Sequence, residues 1–167
     1  FNDIVREVEY QVSSKPEKYL NKLSPPVSFL LKDKKYHKTI WDKAIHEGNL
    51  YLITRLDKLN YKFNADISMG KSAQRGYKDL VEFFIKKGAK NWNLAMEEAA
   101  KGGHKRLVDF FISKGANQWN WGLRGAAEGG HKDLVDFFVQ KGADDWDWSM
   151  VAAAQGGHKD LVEFFIE

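Results

Sequence analysis

No cysteine occurs among the 167 residues. Disulfides, thiolate metal sites and a cysteine nucleophile are therefore excluded, and the absence fits a reducing, intracellular compartment such as the cytoplasm. Long apolar runs are also missing. Stretches such as Val108 to Ile112 are broken by a charge, here Asp109, and fall far short of the roughly 20 apolar residues that a membrane-spanning helix needs. No membrane contact is expected, and no signal-like segment follows Phe1. Charge of a single sign is scarce: 26 Lys and Arg face 23 Asp and Glu, for a net +3 and a pI near 8.9. A dedicated nucleic-acid binder would carry a denser basic stripe. No glycine loop of the phosphate-cradling kind is present, because Gly102-Gly103 reads as the end of a helix and follows no strand. No Ser/His/Asp set can be isolated. The chain is thus expected to have no catalytic residues, no cofactor and no metal.

What the sequence does contain is repetition, the first thing to seek in a chain of this kind. His104, His131 and His158 recur at an interval of 27, as do Trp92, Trp119 and Trp146, and Gly76, Gly103, Gly130 and Gly157. The unit reads Trp, a Met or Leu four residues on, then Ala-Ala-x-Gly-Gly-His-Lys-x-Leu-Val-acid-Phe-Phe-apolar-x-Lys-Gly-Ala. A more worn copy precedes these, carrying Trp41, Ala44, Gly48, Leu52, Ile53 and Leu56. It has one extra residue in the following loop, so that Asn60 stands where Gly88 stands in the next unit. The array is placed at 39–167, about four and a half units. The pattern halts inside a unit, with Phe164, Phe165 and Ile166 uncapped, so a longer chain is expected.

Each unit reads as two helices. In the second, Leu107, Val108, Phe110, Phe111 and Ile112 share a helix whose exposed side carries Lys105 and Asp109 at i, i+4 spacing. Gly115 supplies a left-handed C-cap. The first helix is expected to be short, about Leu94 to Lys101, with small Ala99 and Ala100 permitting close approach of neighbours. A single unit cannot bury its Phe-Phe face alone, so neighbouring units must stack. Residues 1–38 lie outside the array and read as a helical cap. Phe1, Ile4, Val5 and Val8 fall at helical spacing, Ser14-x-x-Glu17 resembles a capping box, and Pro25-Pro26 divides the segment.

From Ala99-Ala100-Lys101-Gly102-Gly103-His104 through Leu107-Val108 to Gly115-Ala116, the units resemble ankyrin repeats, and the likeness spans about three quarters of the chain. The resemblance implies an all-α, ankyrin-like solenoid of stacked helix-turn-helix repeats. Two departures stand out. The interval is 27 where ankyrin repeats have about 33, so the finger hairpin must be shortened or absent. The Thr-Pro-Leu-His stretch is replaced by Leu94-Ala95-Met96-Glu97, Trp121-Gly122-Leu123-Arg124 and Trp148-Ser149-Met150-Val151. Short tryptophan-bearing repeats of this kind look like the arrays encoded by giant DNA viruses of amoebae, for which the host cytoplasm is the expected location.

Comparing the units separates scaffold from variable surface. Trp92, Met96, Ala99, Ala100, Gly103 and the Leu-Val-Phe-Phe set barely change. The positions that change are Asn93, Glu97, Glu98 and Lys101 in one unit, Asn120, Arg124, Gly125 and Glu128 in the next, and Asp147, Val151, Ala152 and Gln155 in the last. In ankyrin-like stacks the first helices line the concave side. These sites, Gly125 and Ala152 aside, together with Trp121 and Trp148, are the candidate partner-binding residues. The bland alternative is solvent-facing positions free to drift. Trp121 and Trp148 stand where other units have Leu94 and Ile67, a pattern that favours packing over interface.

The remaining rows read as structural. Stacked repeats sit roughly 10 Å apart, whereas zinc needs nitrogens about 2.0–2.1 Å from one ion. The histidines cannot converge on a metal, and they are expected to hydrogen-bond loop backbone between units. Lys78, Lys105, Lys132 and Lys159 are each followed four residues later by Glu82, Asp109, Asp136 and Glu163, a neutralised row. Lys32, Lys34, Lys35 and Lys38, with Tyr36 and His37, form a basic lead-in. The function expected is a non-catalytic scaffold or adaptor for a protein partner. A self-associating structural component is the alternative, and nucleic-acid binding through the lead-in is a weaker one.

Overall fold

The computed structural model describes residues 33–166. Most of the expected N-terminal cap, including Ser14, Glu17 and Pro25-Pro26, lies outside the described residues. Among those described there are ten α-helices and no strand. After a 3-10 turn at Lys34–Tyr36 come α1 (His37–His46), α2 (Leu50–Lys58), α3 (Ala65–Gln74), α4 (Lys78–Lys86), α5 (Trp92–Lys101), α6 (Lys105–Ser113), α7 (Trp119–Gly129), α8 (Lys132–Gln140), α9 (Trp146–Gly156) and α10 (Lys159–Ile166). No described helix is long and apolar enough to cross a membrane.

These residues belong to two compact units. One holds 33–44 and Tyr51–Tyr61. Its buried side chains include Trp41, Leu52, Ile53 and Leu56, and the ring of Tyr61 lies 5.1 Å from Trp41 and edge-on to His37 at 5.9 Å. The other holds Ile45–Leu50 and 62–166, and with it the four pairs α3/α4, α5/α6, α7/α8 and α9/α10. First helices begin at Ala65, Trp92, Trp119 and Trp146, and second helices at Lys78, Lys105, Lys132 and Lys159. The interval read from the sequence is therefore an interval of structure.

The second helices form because apolar residues at i, i+1 and i+4 make one stripe. Leu80, Val81 and Phe84 are buried, as are Leu107, Val108 and Phe111, and Leu134, Val135 and Phe138. The first phenylalanine of each pair is half-buried and meets its neighbour edge-to-face at 5.2–5.4 Å, a favoured aromatic arrangement. α4, α6 and α8 each stop at a left-handed glycine (Gly88 φ +94°, Gly115 φ +107°, Gly142 φ +95°), and after α2 Asn60 takes the same region at φ +57°. The following alanine turns inward and donates its N–H back to the helix, as Ala116 does to the Phe111 carbonyl at 3.0 Å.

The first helix differs from the short segment expected. It runs from Trp92, two residues earlier, and at ten residues is longer than the nine-residue α6. The cause is Asn91, whose side-chain oxygen accepts the Leu94 N–H at 3.1 Å and so starts the helix before the apolar pattern begins. First helices pack in chain order, α3 on α5, α5 on α7 and α7 on α9, and each packs on its own second helix. Ala95, Met96, Ala99 and Ala100 are buried between them. The backbones come so close that a Cβ built on Gly125 would lie 2.3 Å from the Glu97 carbonyl oxygen.

Neighbouring units are joined through the Gly-Gly-His sequence, and all three residues take part. The imidazole Nε2 of His104 lies 3.1 Å from the Gln74 carbonyl, that of His131 3.1 Å from Lys101, and that of His158 3.1 Å from Glu128. Each ring thus donates an N–H to backbone of the preceding unit, as expected of the histidine row, but the acceptor is the C-terminal end of that unit's first helix and not a loop. The same ring covers the left-handed glycine of that preceding unit: a Cβ on Gly103 would meet His131 at 2.5 Å, and one on Gly130 would meet His158 at 2.4 Å. The glycine two residues before the histidine rests on the same carbonyl, where Cβ atoms on Gly102, Gly129 and Gly156 would stand 2.0–2.1 Å from oxygens of Gln74, Lys101 and Glu128. Tyr77 fills the seat at the first such joint, its hydroxyl donating to the His46 carbonyl at 3.2 Å.

Candidate partner-binding face

The variable positions divide into three rows along α3, α5, α7 and α9. The row at 66, 93 and 120 ties units together. Asp66 accepts the Lys90 and Asn91 N–H groups at 2.6 and 2.8 Å, Asn93 those of Asn117 and Gln118 at 2.8 and 3.1 Å, and Asn120 those of Asp144 and Asp145 at 2.8 and 3.3 Å. Asn120 also donates to the Asp144 carboxylate at 3.1 Å. Each oxygen holds the loop of the next unit, a job for which Asp and Asn are interchangeable. Asp147 occupies the fourth position and is exposed. We expect Asn93→Ala to cost about 1–2 kcal/mol, because two backbone donors lose their acceptor, whereas Asn93→Asp should keep the stability. Urea melts of the two variants decide it, and equal losses would sink the clamp.

The second row is one of charge. Arg124 forks onto the Glu97 carboxylate, its Nε at 2.8 Å, and Lys101 pairs with Glu128. In both pairs the partners stand at the same position of consecutive units. Glu98 is half-buried beside them, its Cγ against Gly70. Burial pushes its carboxyl above the ordinary carboxylate range; Lys101 opposes the shift, and Glu97 adds to it. A carboxyl raised in the folded state destabilises the fold when ionised, and that penalty fades as pH falls through the folded pKa. Glu98→Gln should therefore melt higher than the parent at pH 7, and the gap should close as the pH approaches 4.5, the carboxyl's unperturbed value. A pH-independent gap would contradict this.

The third row is apolar and open. Ile67 is 51% exposed, Trp121 39% and Trp148 65%, with Leu94 half-buried between them and Val151 exposed beside Trp148. The recurrence of an apolar residue at this position favoured packing, but the structure leaves the row in water. Ile67 shares the exposure of the two tryptophans, whereas Leu94 is the least open of the four; neither was among the expected partner-binding residues. Gln155 is exposed. Trp92 and Trp119 are half-buried, and Trp146 lies 5.8 Å from the ring of Phe165.

On the second helices three of the four expected lysine–acid pairs form, all but Lys159 with Glu163. Lys78 reaches Glu82 at 3.6 Å, Lys132 reaches Asp136 at 2.7 Å, and Lys105 pairs with Asp109. The lysines have a second role unseen in the spacing: Lys105 stands 3.9 Å over the Phe137 ring and Lys132 over that of Phe164, each a cation–π contact to the next unit. In the lead-in, Lys35 pairs with Asp33 at 3.1 Å and Lys38 with Asp42 at 2.8 Å. No group of three or more His, Asp or Glu among the described residues is arranged to hold a metal ion.

No protein-family model matches the chain, and no curated protein is significantly similar to it.

Proposed function

We propose that this chain is a non-catalytic, ankyrin-like repeat scaffold that binds a partner protein along the open row of its first helices. The all-helical pairs, their interval and the strand-free connections 87–91, 114–118 and 141–145 support an ankyrin-like stack with shortened fingers. The observation that carries the function is the exposure of Ile67 and Trp121. Each is flanked by the next unit's first helix and still faces water, so a missing neighbour does not explain the row. Contiguous exposed apolar surface marks interaction sites, and tryptophan is enriched among the residues that dominate binding energy. The Glu97–Arg124 and Lys101–Glu128 pairs hold the flanking charges in place, leaving apolar contact as the main source of affinity.

The test compares proteins captured from cells by the parent, by Trp121→Ala/Trp148→Ala and by Asp133→Asn, whose site is exposed on a second helix. A partner retained by parent and control should bind the tryptophan variant about 30-fold or more weaker, the loss typical of a hot spot worth about 2 kcal/mol. Equal capture by all three would overturn the assignment. Concentration-dependent self-association of the parent, lost in the tryptophan variant, would replace the adaptor by an assembly component.

A further inference from the structure

The first helices carry one charge that the stack leaves uncompensated. Around the middle of the open row stand three carboxylates, Glu97, Glu98 and Glu128, and two cations, Lys101 and Arg124. Arg124 is committed to Glu97, and Lys101 to Glu128. Among the described residues Glu98 has no hydrogen-bonded or ion-paired partner for its carboxylate, and neither of its oxygens is sealed from solvent. Glu98 also belongs to the apolar row by position. It lies one turn after Leu94 on α5 and leans the same way: a Cβ on Gly70 of α3 would meet the Glu98 Cγ at 3.2 Å and the Leu94 Cγ at 3.7 Å. The next unit has Gly125 where this one has Glu98, so position 125 of α7 offers no side chain to cover it. Both α3 and α7 pack against α5, so residue choice, not a missing neighbour, leaves the carboxylate open. Burial without a counter-ion holds the carboxyl above its ordinary range, a cost that a cation brought to it would relieve.

On the footing of the binding row proposed above, we propose that Glu98 is its polar anchor and accepts a lysine or arginine of the partner. The partner segment is then apolar and basic: a cation flanked by apolar side chains that rest on Ile67 and Trp121. Charge complementarity selects that occupant. An ammonium or guanidinium brings both the counter-charge and the donors that the carboxylate lacks. An acidic segment would be repelled, and a wholly apolar one would cover an unpaired charge. Apolar contact supplies most of the affinity, and Glu98 decides which apolar segments are accepted.

The probe is a phage-displayed library of short random peptides, selected on the immobilised full chain and then measured as synthetic peptides. Those retained by the parent should be enriched in Lys or Arg beside aromatic and aliphatic residues. They should bind Glu98→Gln about 10-fold more weakly, although that variant should itself melt higher at pH 7, so misfolding cannot be the cause. Replacing the peptide's cation by methionine should weaken binding to the parent by the same factor and leave binding to Glu98→Gln unchanged, the sign of a direct pair. Selected peptides with no basic enrichment, or with equal affinity for parent and Glu98→Gln, would overturn the anchor. Trp121→Ala separates that failure from a failure of the row: if it loses those peptides the row stands without the anchor, and if it keeps them the row falls as well. A library that yields nothing on the parent would overturn both.

Discussion

Gly129→Ala should destabilise the fold by at least about 3 kcal/mol, the upper range for overpacking, lowering the melting midpoint by about 6–12 °C for a chain of this size. The expectation runs against helix propensity. Gly129 lies within α7, and alanine in a helix is ordinarily worth up to about 1 kcal/mol more than glycine. The opposing effect is steric. The new methyl would stand 2.1 Å from the Lys101 carbonyl oxygen and 2.7 Å from the His131 ring. The oxygen belongs to backbone in a neighbouring helix, so relief requires the two units to part, with loss of the His131 hydrogen bond. Gly142→Ala is the control. Its Cβ meets nothing within 4 Å, but its φ is +95°, so it carries only a left-handed cost of roughly 1–2 kcal/mol. If Gly129→Ala melts at or above the parent, or if Gly142→Ala is the worse of the two, contact through the glycine does not hold the units together.

The contrast shows which features of the chain could be read in advance. The two helices per unit, their interval and the C-terminal glycines were legible because each rests on local chemistry: a 3.6-residue apolar period, a left-handed cap, an i, i+4 ion pair. Histidine bonding to backbone between units was legible by elimination, since side chains on units stacked roughly 10 Å apart cannot converge on one metal. The Gly-Gly pair was harder. As a turn signal it is correct, but it hides two different duties. Gly102 has ordinary φ and is small because a neighbouring carbonyl touches it, whereas Gly103 has positive φ and is bare because a ring covers it. No one-dimensional pattern separates the two.

The candidate face was legible only as variation. Asn93, Glu97 and Lys101 all differ between units, yet Asn93 holds the next loop, while Glu97 and Lys101 pair with Arg124 and Glu128 one unit on. Variation at paired positions is still variation, so comparing units cannot distinguish an intramolecular ion pair from a surface open to a partner. The apolar row showed the reverse error. Repetition of Ile67, Leu94, Trp121 and Trp148 suggested a core position, although a conserved apolar character is equally what a shared binding row requires.

The largest test of the joint itself is His131→Ala. The ring lies over Gly103, and its Nε2–H donates to the Lys101 carbonyl at 3.1 Å. Removal leaves that carbonyl without its partner and opens a gap between units, together about 2–4 kcal/mol. The urea midpoint should fall while the m-value stays constant, the mark of altered stability without altered unfolding. His131→Tyr should recover part of the loss, because Tyr77 already does this work at the first joint by donating to the His46 carbonyl. A double substitution sharpens the assignment. Gly103→Ala alone adds a methyl that would meet the ring at 2.5 Å and also strains a φ of +75°; with His131→Ala the collision disappears and only the strain remains. The two changes should therefore cost at least about 1 kcal/mol less together than their separate effects predict, the scale of coupling for residues in contact. Strict additivity would mean that the ring and the glycine do not touch, and the histidine row would then be no more than a row of helix-start residues.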